Sequence, residues 1–101
     1  MYNILVFGGT ESGKKYLSCQ QNGYVDLWSH DDESGRQKWI IEDISVDTYN
    51  IKVFSGTNAG ESFLSCTKEG LVDLYSQDDN SGRQQWKLNL LAPTKSRFLT
   101  F

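Results

Sequence analysis

Asp26 and Trp28 stand two residues apart, and so do Asp73 and Tyr75; the stretches read Val-Asp-Leu-Trp and Val-Asp-Leu-Tyr. In an extended strand that turns Val and Leu inward, the carboxylate and the ring point the other way. A carboxylate beside an exposed flat ring has the chemistry of a sugar site. The acid accepts hydrogen bonds from neighbouring hydroxyls, and the ring covers the apolar C–H face of a pyranose. Downstream of each pair come an arginine and a glutamine, Arg36-Gln37 and Arg83-Gln84, and between them lie His30-Asp31-Asp32 and Gln77-Asp78-Asp79.

Other chemistries fit these residues less well. The Asp-Asp loops have three open readings: Asp, Asn, Ser and Gly bonding their own backbone in turns, lining of a sugar site, or calcium. Asp-Asp-Asn-Ser-Gly lacks the every-second-residue ligand spacing of an EF-hand loop, which weighs against calcium. Glycoside hydrolysis needs two carboxylates in different environments, whereas these acids sit in a duplicated polar loop. Duplication suits binding, where a second copy multiplies avidity. His30 aligns with Gln77 and has no Ser or Cys partner that would make a nucleophilic triad. Gly8-Gly9-Thr10 to Gly13-Lys14-Lys15 lacks the spacer and helix of a phosphate loop, so it reads as a hairpin turn. No catalytic residue, metal or cofactor is assigned.

The elements that position these residues come from an internal duplication. Sliding the sequence by 47 lays residues 1–47 over 48–94 without a gap, and 23 of the 47 pairs are identical. Each unit reads as four short strands: 2–7 (49–54), 15–19 (62–66), 24–29 (71–76), and one starting near Gln37 (Gln84). Asn22-Gly23 between alternating apolar runs signals a hairpin. No 3.6-residue apolar period persists, so the chain is expected to be all-β. Residues 96–101 lie over 49–54 at the same offset and read as the opening strand of a third unit.

The pattern Gly23, Val25-Asp26-Leu27-Trp28, Gln37-Lys38-Trp39, with its second copy ending Gln84-Gln85-Trp86, resembles the ricin-type (R-type) lectin family, whose repeats end in Q-x-W. The likeness covers about 25 residues per unit. It implies a β-trefoil of three four-stranded units that binds galactose-like sugars. The strand's polar residue and aromatic contact sugar in that family, which carries the role to Asp26, Trp28, Asp73 and Tyr75. The residue before the Q-x-W glutamine also reaches the ligand, here Arg36 and Arg83. Gln37 and Gln84 are candidates for the same site or for hydrogen bonds that hold the loop. His30, Asp31, Gln77 and Asp78 complete the candidate set. Trp39 and Trp86 are expected in the core.

The expected architecture is therefore all-β and β-trefoil-like, with tandem four-stranded repeats at 1–47 and 48–94 and a partial third at 95–101. Two units leave a trefoil open, so closure is expected from oligomerisation, as a trimer or dimer; an oligomeric β-propeller is the alternative. The expected partners are glycans or glycoconjugates, with a protein-binding, fascin-like β-repeat as the competing class. A net charge of −3 with no Lys/Arg run argues against nucleic acid as a partner. No apolar stretch approaches the roughly 20 residues of a membrane-spanning helix, so no membrane insertion is expected. Residues 1–15 lack a basic n-region, which reads as no signal peptide and a cytoplasmic or non-classically secreted chain. Cys19 and Cys66 occupy equivalent places and read as small buried hydrophobes, with a disulfide as the alternative.

Overall fold

The computed structural model describes residues 1–8, 10–58 and 60–89, and all regular structure among them is β. Strands β1 (Tyr16–Cys19) and β2 (Val25–Trp28) form an antiparallel hairpin in register Tyr16↔Trp28 to Cys19↔Val25. β5 (Phe63–Cys66) and β6 (Val72–Tyr75) pair in the same way, Phe63↔Tyr75 to Cys66↔Val72. Each hairpin turns through a glycine in the left-handed region, Gly23 at φ 93° and Gly70 at φ 94°, where a Cβ would be strained. The turn is closed by Gly23 N–H donating to Gln20 O (2.9 Å) and Gly70 N–H to Thr67 O (3.0 Å).

The longest pairing joins β3 (Trp39–Ser45) to β4 (Thr48–Val53), with a bulge between Asp43 and Ser45. Val46-Asp47 makes the turn, and Asp47 takes φ 55°, a conformation that Asp tolerates better than most residues. β4 also pairs with β5 at Lys52↔Phe63 and with β7 (Trp86–Lys87) at Thr48↔Lys87 and Tyr49↔Trp86. The result is a five-stranded antiparallel sheet, with β1–β2 as a separate two-stranded one.

The expected strand over 2–7 is reduced to two isolated bridges, Tyr2↔Trp39 and Leu5↔Tyr16. These match, at the 47-residue offset, two of the pairings that β4 makes. β4 also carries β3 along its other edge, and residues 2–7 have no such neighbour among the described residues. The fourth strand expected near Gln37 is β3, which begins two residues later at Trp39. The expected opening strand at 96–101 lies outside the described residues.

One cluster holds the two halves together: Cys19, Trp39, Ile51, Val53, Leu64 and Leu74 are buried, with Ile4, Leu17, Val25, Ile41 and Trp86 packed against them. Trp39 is fully enclosed, and Trp86 is half-buried. Both place their indole N–H on a backbone carbonyl, Trp39 Nε1 on Leu17 O (2.9 Å) and Trp86 Nε1 on Leu64 O (2.8 Å). That satisfies the one polar atom the ring brings inside. Cys19 and Cys66 are free thiols. The inward face is not uniform: Val25 is half-buried, but Val72 is 48% exposed.

Candidate functional site

The loop between β2 and β3 and its counterpart between β6 and β7 are each held by a glutamine. The Gln37 side chain is 1% exposed. Its amide nitrogen donates to Ser18 Oγ on β1 (2.8 Å), and its amide oxygen accepts from Asp32 N–H (2.9 Å). Gln84 does the same with Ser65 Oγ (2.9 Å) and Asp79 N–H (2.9 Å). With both ends bonded and the residue only 1% exposed, each amide is held chiefly by the loop and by its neighbouring strand. Of the two readings of the glutamines, the geometry therefore favours loop support.

The Asp-Asp pairs follow turn chemistry. Asp31 Oδ1 accepts from Glu33 N–H (3.0 Å) and Asp32 Oδ1 from Ser34 N–H (2.9 Å), with Asp78 and Asp79 repeating this on Asn80 and Ser81 (2.9 Å each). These turns carry Glu33 and Asn80 into the left-handed region at φ 68° and 65°. Asp31 Oδ2 is bound by Lys38 Nζ (2.7 Å) and Asn3 Nδ2 (3.0 Å). Those bonds, led by Lys38, lower its pKa to about 2. The same ion pair raises Lys38. Asp78 is lowered chiefly by the amide of Asn50, which donates at 2.9 Å, and Asp32 and Asp79 are lowered chiefly by Ser34 and Ser81. All four acids are committed to holding the loop as carboxylates.

Beside this loop lies a cleft of about 560 Å³. Asp26, Trp28, Arg36 and Gln37 line it, so the structure gathers four of the six candidates from the first half. His30 and Asp31 fall outside it. His30 instead leans on Trp28, with ring centroids 6.5 Å apart at 40°, and Asp31 faces Asn3 and Lys38. The cleft also draws on residues the motif did not point to: Ser18, Cys19, Gln20 and Gln21 at the end of β1, together with Asn22, Asp32 and Asn58. A second cleft of about 210 Å³ is lined by Asp73, Tyr75, Arg83 and Gln84 with Ser65, Cys66, Thr67 and Lys68. Each of these eight residues sits 47 positions after a residue of the first cleft. Gln77 and Asp78 lie outside the second cleft, as His30 and Asp31 lie outside the first.

The electrostatics of the two clefts centre on one unsatisfied atom. Asp26 Oδ1 and Asp73 Oδ1 are buried and accept no hydrogen bond from the described residues. The other oxygen of Asp26 receives only a long bond from Gln20 Nε2 (3.3 Å). Leaving a buried acceptor unpaired costs about 1–3 kcal/mol, and more when it is charged. The guanidinium groups stay near the loop acids, Arg36 Nη2 at 3.6 Å from Asp32 Oδ2 and Arg83 Nη2 at 3.6 Å from Asp79 Oδ2. These distances are too long for strong pairing and leave donors for another acceptor. Trp28 and Tyr75 are 39% and 41% exposed, and Lys14 Nζ stands over the Trp28 ring, 5.8 Å from its centroid. Burial pushes the Cys19 thiol up to about 11, so in this cleft it acts as a neutral apolar wall.

No protein-family model matches the chain, and none of the curated proteins matches it.

Proposed function

We propose that this protein binds carbohydrate, presenting one shallow site in each of two β-trefoil-like units, and that its ligands are galactose- or N-acetylgalactosamine-type glycans. The single observation that carries the reading is the unpaired, buried carboxylate oxygen that recurs in both clefts, Asp26 Oδ1 and Asp73 Oδ1. A hydroxyl pair on a pyranose supplies the missing donors. The half-exposed ring two residues away takes the apolar face of the same sugar, and Arg36 or Arg83 donates to its ring or hydroxyl oxygens. The galactose preference rests on the Q-x-W resemblance, and the carboxylate and ring support a sugar in general. The committed loop acids favour binding over hydrolysis, since a glycosidase needs a carboxylic acid poised to protonate a leaving group.

The test is calorimetric titration with galactose and N-acetylgalactosamine of the parent protein, Asp26→Asn and Asp73→Asn. Loss of a charge-assisted hydrogen bond is worth about 1.5–3 kcal/mol, roughly a tenfold to hundredfold fall in affinity at the altered cleft. Unchanged binding in both variants, or no binding of any sugar by the parent, sinks the proposal.

A further inference from the structure

The two clefts share eight residue positions but differ in how they are closed. The first has a wall from the other half of the chain: Asn58 lines it, and Asn58 N–H donates to Gln21 O (2.7 Å). The neighbouring residues fasten that wall. Ser55 N–H donates to Gly35 O (3.3 Å), Ser55 Oγ to Ser34 O (2.8 Å) and Phe54 N–H to Lys38 O (2.8 Å). Gly56, at φ 110°, lies so close to the Arg36 stem that a Cβ there would overlap it. Glu61 reaches Gly23, with Oε1 2.9 Å from where a Cβ would stand.

The second cleft has no such wall among the described residues. Gly23 and Gly35 are buried, whereas their equivalents Gly70 and Gly82 are exposed with nothing within 4 Å of a Cβ. Half of the junction is present as a socket without a plug.

The chain also contains a plug without a socket. Residues 7–14 align with 54–61, and the described residues of the two loops share turn features. Thr10 Oγ1 donates to Lys14 O (2.8 Å) as Thr57 Oγ1 does to Glu61 O (3.0 Å), and Gly13 and Gly60 take φ 75° and 73°. Gly9 keeps the glycine that Gly56 needs against an arginine. Phe7 is fully exposed, whereas its equivalent Phe54, at the junction, is 53% exposed.

We propose that the 7–14 loop of a second copy of this chain docks on the open side of the second cleft, head to tail, and supplies Glu11 as its missing wall. Charge fits this occupant. Carrying the Asn58–Gln21 contact forward by 47 places Glu11 of one copy on Lys68 of the next. Carrying Glu61 over Gly23 forward brings Lys14, which in its own chain stands over the Trp28 ring, near Gly70 and Glu69, so docking turns that side chain toward the next copy. The contact inside the chain is a backbone hydrogen bond between Asn58 and Gln21; at the equivalent positions between chains the side chains are an acid and a base. Such heterologous contacts build rings when the rotation closes. The docking does not depend on the ligand; that the completed cleft takes a sugar rests on the reading above.

The test is sedimentation of the parent protein, Glu11→Lys, Lys68→Glu, their equimolar mixture, and the double variant, with far-UV dichroism confirming that each is folded. The parent is expected to exceed the 11.5 kDa of one chain, with a mass that rises with concentration and falls with salt. Each single reversal puts like charges at the contact and should weaken association roughly tenfold or more, and the mixture and the double variant should restore it. An 11.5 kDa parent at every concentration, or reversals without effect, overturns the proposal. Charge-dependent association without sugar binding leaves the docking standing and removes only the carbohydrate reading.

Discussion

Gln37→Ala separates scaffold from site more sharply than any substitution at the clefts' rims. The Gln37 side chain is 1% exposed and joins three segments: β1 through Ser18, the Asp-Asp loop through Asp32 N–H, and residues 2–7 through its own carbonyl, which accepts from Asn3 Nδ2 at 2.8 Å. Truncation leaves the last of these intact and removes the other two. Each lost bond is worth about 0.5–1.5 kcal/mol net, and the stranded Asp32 N–H adds a desolvation penalty of similar size. The deleted amide was itself buried, so a total near 3 kcal/mol is expected. For a chain of this size, with stability on the order of 5–15 kcal/mol, that lowers the thermal midpoint by roughly 10 °C or more. Urea unfolding of Gln37→Ala, Ser18→Ala and the double variant is the assay. A coupling energy near 1 kcal/mol between the two sites is expected, because they share one bond. A loss below about 0.5 kcal/mol in Gln37→Ala, with sugar binding abolished, would refute the assignment of this glutamine to the scaffold.

Two further outcomes follow from particular contacts. Gly35 and Gly82 sit at φ 93° and 97°, so Ala costs about 1–2 kcal/mol of backbone strain at either; at Gly35 a Cβ also meets the Ser55 side chain and lies 3.3 Å from the Phe54 ring. Urea unfolding at low protein concentration should therefore show Gly35→Ala losing about 1 kcal/mol or more beyond Gly82→Ala, and equal losses would refute the described packing. Asp31 has a folded pKa lowered to about 2 by Lys38, Asn3 and the Glu33 N–H. A depressed carboxylate stabilises the fold above its unfolded pKa of about 3.9, and that contribution is lost as pH falls through the folded value. Stability should thus decline between about pH 4 and pH 2, and less steeply in Asp31→Asn; parallel acid profiles for the two proteins would contradict this.

What could be read from the sequence depended on how far each contact reaches. The all-β class and both inner hairpins followed from alternation and from Gly23 and Gly70, which act over a few residues. Trp39 and Trp86 entered the core as expected, since Q-x-W places each ring where its N–H meets a carbonyl of the same half. The strand expected over residues 2–7 is reduced to two bridges, because a ladder depends on the partner's course as well as on the segment's own alternation, and local pattern reports only its own side chains. Asn58 was invisible for the same reason: it lines the first cleft from the other half, and nothing in the Asn58 neighbourhood resembles a site. The buried state of Asp26 Oδ1 and Asp73 Oδ1 was equally hidden, because alternation placed both carboxylates simply outward.

The differences between the two halves carry the remaining information. Several positions whose bonds stay within one half are identical at the 47-residue offset: Ser18 and Ser65, Asp32 and Asp79, Gln37 and Gln84, Trp39 and Trp86. The side chains that differ include those at the junction: Glu11 against Asn58, Lys14 against Glu61, Gln21 against Lys68, Asn22 against Glu69. The junction within the chain is held by covalent connection and by the β3–β4 pairing, so neutral Asn and Gln suffice there. A junction between copies has no covalent link and must gain its orientation from charge, which fixes register and disfavours wrong partners more than it adds affinity. The two halves are thus alike where they fold and unlike where they would have to find each other, with opposite signs on the two surfaces. Folding alone gives no reason for that pairing of signs, whereas a head-to-tail contact would use it to set its register.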